Sequence, residues 1–316
     1  MHNIIIDTDP GLDDAIAILL ALAYPEACTV KAITTVAGNQ TIEKVTRNAL
    51  KILNFAGVRV PVAAGAPKPL ARELLVESRI HGETGLNGSN LPDPDFTAEN
   101  RSAEELLLEV LHAGEDPITL VPIGPATNIA LLFRNHPDVK QRIGLISLMG
   151  GSLSAGNITM AAEFNVYTDP EAAKEVFASG IPIVMSGLDV THKAYITTAE
   201  IDELRARGPA SLLVANLVSF YGVHYEKAGM PGAALHDPCS IAYLIRPDLF
   251  SHEDLFVDVE TKGDLTRGMT VADRRPASRN RPNVRVLVDV DRKSFIELLF
   301  EGLGRIDRSI GRSARR

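Results

Sequence analysis

Short apolar and β-branched runs alternate with helix-forming segments from the first residues of the chain, and that alternation admits few architectures. Residues 3–6 read as a buried strand, and 30–35, 60–64, 118–122, 145–149 and 183–185 read as further strands. Residues 15–23, 41–55, 103–113, 127–134 and 170–179 carry helical patterning between and after them, and 209–224 and 237–245 continue it. This predicts an α/β fold with an open, mostly parallel sheet flanked by helices and a mainly helical C-terminal part. Right-handed crossovers then gather the carboxyl ends of the strands on one edge, where open sheets bind ligands. At 316 residues and 45% hydrophobic the chain can bury a sizeable core, and residues 1–316 are taken as one domain.

Polar or glycine-rich turns follow four of these strands. The first is Asp7-Thr8-Asp9-Pro10-Gly11-Leu12-Asp13-Asp14, four carboxylates within eight residues. A helix start can stabilise one such group through its dipole and free N–H groups. Four exceed that need and suit a hard divalent cation, Ca²⁺ or Mg²⁺, because the turn has no Cys or His to favour zinc. Gly38-Asn39-Gln40, Ile123-Gly124-Pro125 and Met149-Gly150-Gly151-Ser152 follow later strands and are expected on the same edge. Residues 79–94, with His81-Gly82-Glu83-Thr84-Gly85, are long enough for a lid or binding loop, or form a mobile surface loop. Asp189 and His192 read as hydrogen-bonded loop residues. His236-Asp237-Pro238 opens a helix, where Asp237 could serve as an N-cap and His236 as a structural histidine.

Composition excludes several classes. The net charge of −8 argues against a nucleic-acid footprint. Two basic clusters, Arg274-Arg275 with Arg279 and Arg281, and residues 305–316, read as a solvated loop and a frayed tail. No apolar run approaches a membrane span and the chain enters a strand at once, so no membrane association and a cytoplasmic setting are expected. Cys28 and Cys239 suggest a reducing compartment, and Cys239 reads as a buried structural thiol.

Taken together, Asp7 to Asp14, Thr35 to Gln40, His81 to Gly85, Leu148 to Gly151, Ala162-Glu163-Phe164-Asn165, His236-Asp237-Pro238 and Gly268 to Asp273 resemble, in order, the motif series of the inosine-uridine preferring nucleoside hydrolases. The resemblance spans most of the chain. It implies one Ca²⁺ per subunit, a nucleoside substrate hydrolysed to ribose and free base in nucleoside salvage, and a homodimer or homotetramer. It further implies that Asp9, Asp14, Asp237 and the Ile123 carbonyl hold the metal. Asp13 would take a proton from calcium-bound water. Asn39, Asn157, Glu163 and Asn165 would hold the ribose hydroxyls, with Met149 lining the pocket.

His81, Phe164 and His236 would face the base, with His236 as its acid. Around residues 221–230, where some relatives activate the base, His224 or Tyr225 could serve, and Ala228 cannot donate a proton where pyrimidine-preferring relatives carry tyrosine. Core packing is the other reading of Tyr221 and Tyr225. Purine or pyrimidine preference therefore stays open. Two other classes fit parts of the pattern. A Mg²⁺-dependent phosphohydrolase would use Asp7 as nucleophile and Asp9 as acid, and a calcium-stabilised nucleoside-binding protein would need no catalyst at all.

Overall fold

The computed structural model describes residues 1–114, 116–227 and 229–313. In chain order the strands are β1 (His2–Thr8), β2 (Cys28–Thr35), β3 (Val62–Ala64), β4 (Ile118–Pro122), β5 (Ile143–Met149), β6 (Ile183–Ser186), β7 (Tyr195–Ile196), β8 (Ala233–Ala234), β9 (Phe250–Val259), β10 (Thr270–Asp273) and β11 (Val284–Val290). The helices are α1 (Leu12–Ala23), α2 (Ile42–Ala56), α3 (Ser78–His81), α4 (Ala103–His112), α5 (Thr127–Asn135), α6 (Phe164–Thr168), α7 (Pro170–Phe177), α8 (Leu188–Thr191), α9 (Thr198–Arg205), α10 (Pro209–Lys227), α11 (Pro238–Ile245) and α12 (Arg292–Ser313). No helix among the described residues is long and apolar enough to cross a membrane.

One sheet runs in the order β10-β9-β11-β6-β5-β4-β1-β2-β3, and β7 pairs with β8 in a separate ribbon. From β3 to β11 all neighbours are parallel, while β9 runs antiparallel to both β11 and β10. The chain winds outward from β1 through β2 to β3 and then returns to place β4 on the other side of β1. That reversal opens a crevice between the carboxyl ends of β1 and β4, the place where doubly wound sheets take their ligands.

The period-two geometry of β1 explains why the strand is apolar throughout. Ile4 and Ile6 enter one core layer and Ile5 the other, and all three are fully buried. The layer below Ile4 and Ile6 is closed by α1, α2, α10, α11 and α12, and α4, α5 and α7 close the other face. Helix α1 is packed against α10, α11 and α12, which accounts for apolar residues on every side of it. Ser102 caps α4 and Thr197 caps α9 in reciprocal boxes with Glu105 and Glu200, each worth about 1 kcal/mol to its helix start.

Three features differ from the sequence expectation. Strand β1 runs on to Thr8, so Asp7 belongs to the sheet and not to the turn. There its carboxyl accepts hydrogen bonds from Thr34 at 2.6 Å and Asn128 at 2.7 Å. Strands β9, β10 and β11 extend the sheet beyond the last strand read in the sequence. Residues 305–313 are no frayed tail, because they continue α12, where Arg305 pairs with Glu26 and Glu301 and lies over the Tyr24 ring. Residues 314–316 of that expectation lie outside the described residues. In the other basic cluster Arg274 pairs with Glu253 and Arg275 with Asp273.

Candidate active site

The turn from β1 into α1 lies at the crevice and delivers its carboxylates there. Asp14, in the first turn of α1, accepts from the Gly11 N–H at 2.8 Å, the Thr8 hydroxyl at 2.5 Å and the Asn39 amide at 3.2 Å. It thus serves the helix start, as one carboxylate of the turn was expected to. Asp13 stays on the cavity side. Asp237 comes from the far half of the chain, immediately before Pro238 of α11, and its carboxyl does not cap that helix. Oxygen atoms of Asp13, Asp14 and Asp237 all fall within 4.8 Å of one another, and all three residues are buried.

Asp9 lies beneath them. One of its oxygens takes the Asn39 backbone N–H at 2.6 Å, and the other, fully buried, has no partner among the described residues. A Cβ on Gly124 would come within 2.5 Å of that unpartnered oxygen, so glycine is required where β4 ends. Burial first, and then the neighbouring carboxylates, push these acids upward: Asp13 to about 7, and Asp9 and Asp237 well above the ordinary range. Buried like charges, an orphaned oxygen and an all-oxygen donor set fit a hard divalent cation.

Above this floor is a cavity of about 360 Å³, within the range of roughly 300–1,000 Å³ common for small-molecule sites. Of the residues singled out in the sequence, Asp13, Asn39, His81, Ile123, Met149, Asn157, Glu163, Phe164, Asn165, His224, His236 and Asp237 line it, while Asp9 and Asp14 lie behind the wall. Asp7 is buried in the sheet outside that lining, which removes the nucleophile that a phosphohydrolase of the type considered would need.

Several of these side chains also build the wall. Asn39 bridges the first and second turns, donating to the Asp9 carbonyl and to Asp14. Glu163 caps α6, accepting N–H bonds from Asn165 at 2.9 Å, Val166 at 3.1 Å and Gly151 at 2.9 Å. Asn165 donates its amide to the carbonyls of Ile123 at 2.9 Å and Met149 at 3.2 Å. The Ile123 carbonyl keeps a second lone pair. The Asn157 side chain holds the Phe164 N–H at 2.9 Å.

The outer wall carries the histidines. His81 accepts the Leu12 N–H at Nδ1, 3.2 Å away, so its proton sits on Nε2, and burial lowers its pKa to about 4. His236 is bracketed by Thr191 at Nδ1, 2.7 Å, and Tyr225 at Nε2, 2.5 Å, and burial brings it down to about 3. His224 is exposed on the last turns of α10. Ala228 lies outside the described residues.

Glu77, Ile80, His192, Tyr221, Tyr225 and Met230 also line it. Of these, nothing in the sequence pointed to Glu77, a buried carboxylate that accepts from Nε and Nη2 of Arg79. Asp189 and His192 lie on and just after α8, a single helical turn, where a loop was expected. Asp189 accepts from Leu153 and Ser154 and so ties down the turn after β5.

The family model for the inosine-uridine preferring nucleoside hydrolases matches residues 4–297. The chain is 53% identical over 304 residues to the pyrimidine-specific ribonucleoside hydrolase RihA of Salmonella enteritidis PT4, covering 95% of this chain and 97% of that protein. With the protein of the same name from Escherichia coli O1:K1 it shares 51% identity over the same coverage. Among solved structures, a purine-preferring ribonucleoside hydrolase from Gardnerella vaginalis superposes with a TM-score of 0.88 at 34% identity, over 98% of this chain and 99% of the other. A plant nucleoside hydrolase superposes at 0.90 with 32% identity, over 96% and 99%.

Proposed function

Because the chain belongs to the inosine-uridine preferring nucleoside hydrolase family, we propose that it hydrolyses the N-glycosidic bond of ribonucleosides to ribose and free base, with Ca²⁺ as its cation and nucleoside salvage as its setting. The observation that carries this reading is the grouping of Asp13, Asp14 and Asp237 at the floor of a cavity whose walls are amide, carboxylate and histidine side chains. Asp9, Asp14 and Asp237, with the Ile123 carbonyl, would hold the ion. When bound, it supplies Lewis acidity toward a water and a positive charge for the ribose diol.

The remaining chemistry belongs to the side chains. Breaking a ribosyl C–N bond leaves the sugar cation-like and the base electron-rich. Asp13, already drawn toward neutral pKa by its burial, is the base that removes a proton from the attacking water. Asn39, Asn157, Glu163 and Asn165 orient the hydroxyls and set oxygen atoms around the charged ring, and Met149 lines the pocket beside them. His81 and Phe164 hold the base, His224 stands at its outer edge, and His236 assists its departure. A cytoplasmic homodimer or homotetramer belongs to the same reading.

The two groups of relatives carry different base preferences in their names, pyrimidine for RihA and purine for the Gardnerella enzyme. The test is ribose release from inosine, uridine, cytidine and adenosine by protein stripped with a strong chelator, before and after Ca²⁺ is restored. Calcium-restored release establishes the reaction and ranks the bases. Binding of nucleosides in a calorimeter with no ribose released, calcium present, would leave a binding protein instead.

A further inference from the structure

We infer that the β9–β10 hairpin, through Thr270 and Gly268, clamps the wall loop of residues 152–162 from behind and so sets how Asn157 and Glu163 meet the ribose. This deepens the reading above and rests on it. Of the segments that carry the family resemblance, Gly268 to Asp273 alone supplies no residue to the cavity lining among the described residues. What it touches is the back of the wall.

The wall loop leaves β5 at Met149 and enters α6 at Phe164 with no regular structure between them. Its tip is bonded to itself. The N–H groups of Asn157, Ile158 and Thr159 converge on the Ala162 carbonyl at 3.1–3.4 Å, and the Thr159 hydroxyl takes the N–H groups of Ala161 and Ala162. A tip closed in this way moves as a unit, so the pose of Asn157 and Ile158, which line the cavity, is decided at its two roots.

The first root is Ser152. The Thr270 hydroxyl accepts the Ser152 N–H at 2.8 Å and donates to the Ser152 carbonyl at 2.5 Å, so one buried side chain satisfies both backbone groups of a buried residue. The second root is Ala162. Gly268, at φ +81°, passes so close that a Cβ added to it would lie 3.2 Å from the Ala162 Cβ and 2.8 Å from the Tyr167 Cα. Glu163 follows at once and takes the Gly151 N–H at 2.9 Å, which joins the two roots. Behind them the hairpin is firmly held, since Gly268 donates to the Glu260 carbonyl, Glu260 to that of Met269, and β9 is paired with both β10 and β11.

Neither Thr270 nor Gly268 reaches the cavity, so both are positioning residues. Replacing Thr270 by valine keeps the shape but orphans a buried N–H and carbonyl at Ser152, and the loop satisfies them only by moving toward water. Asn157 then moves with the tip, and Glu163 loses the frame that its bond to Gly151 depends on. A ribose held slightly out of line still binds but is poorly placed for the attacking water.

The test uses calcium-loaded enzyme with uridine, inosine and p-nitrophenyl riboside, which share the ribosyl group and differ in the leaving group. Thr270→Val is expected to lower kcat about tenfold to a hundredfold on all of them alike, with a smaller change in KM, as for a small misplacement of substrate. Calcium per chain should not change, because the loop carries none of the ligands. Thr270→Ser should restore most of the rate, and Gly268→Ala, pressing on the other root, should reproduce the valine pattern. In an Asn157→Ala background Thr270→Val should cost clearly less than it does alone, because part of its effect runs through Asn157. Hydrogen exchange across residues 152–162 should be slow in the wild type and faster in the valine variant, with β4 unaffected.

Wild-type rates for Thr270→Val, a loss confined to the nucleosides or to KM, a fully additive double variant, no rescue by serine, or free exchange of 152–162 in the wild type would each overturn the inference alone. Wild-type protein that releases no ribose from any nucleoside would overturn the function above and the catalytic part of this inference with it, while slow exchange across the loop would still support the clamp. Should the valine variant fail to fold, Gly268→Ala and the exchange of the wild type decide.

Discussion

Asn39, Glu163 and Asn165 hold the turns of the site in place before any ligand enters. Each spends part of its hydrogen-bonding capacity on a backbone carbonyl or N–H and keeps the rest for the cavity. That arrangement favours a pre-formed pocket, since side chains already fixed lose less freedom when substrate binds. Asp13 is different. Its carboxyl faces the cavity and takes backbone N–H bonds from His236 and Asp237, and it is also within ligand distance of Asp14 and Asp237. Asp13→Ala should lower turnover by about 10²–10⁴-fold, the usual worth of a general base, while one Ca²⁺ per chain is retained by metal analysis. Turnover near wild type would remove it as the base, and loss of the ion would make it a ligand.

At the level of elements, the parallel half of the molecule was legible because buried parallel strands are continuously apolar and their crossover helices are patterned. Strand β9, with Ser251, His252, Glu253 and Asp254 in its first half, gave no such run. It lies near the sheet's edge, where polar side chains reach water. The alternation of Val284 and Val286 in β11 does carry a strand signal, but the polar stretch ahead of it masks the register. The turn motifs showed where the site would be. Glu77 and Thr191 were not legible, since Glu77 joins the cavity lining, and Thr191 meets His236, only when α3 and α8 fold onto the crevice.

Helix α12 was obscured by its arginines, yet its opposite face is anchored. Phe295 is 1% exposed and meets Phe250 edge-on at 6.5 Å. Phe295→Ala should therefore cost about 3–5 kcal/mol in urea unfolding, whereas Arg305→Ala, removing two partly exposed ion pairs, should cost less than about 1 kcal/mol. A loss below about 1 kcal/mol for Phe295→Ala would mean that α12 is only loosely docked.

On the scale of the whole molecule, the fold brings the buried carboxylates of Asp13, Asp14 and Asp237 together, with Asp9 close enough to feel their charge, and this arrangement is self-repelling until a cation joins it. The pH dependence follows from the sign of the shifts. Burial raises Asp13 from 3.8 to about 7, so the folded, cation-free protein holds a proton over an interval in which the unfolded chain has released it. The stabilisation this proton represents is full below 3.8 and is lost as pH rises through about 7. Asp7, lifted to about 7 by its burial in β1, acts in the same direction.

Cation binding runs the other way, because it needs the ionised carboxylates and so strengthens as pH rises. At about a thousandfold excess over its dissociation constant, an ion that binds only the folded state adds about 4 kcal/mol. Melting curves with chelator should thus fall in temperature from about pH 5 to about pH 8, while calcium-saturated protein should hold or gain, so that the gap between the curves widens with pH. A gap that stays constant or narrows over that range would mean that the carboxylates are not what the ion binds, and the calcium assignment would fall with it.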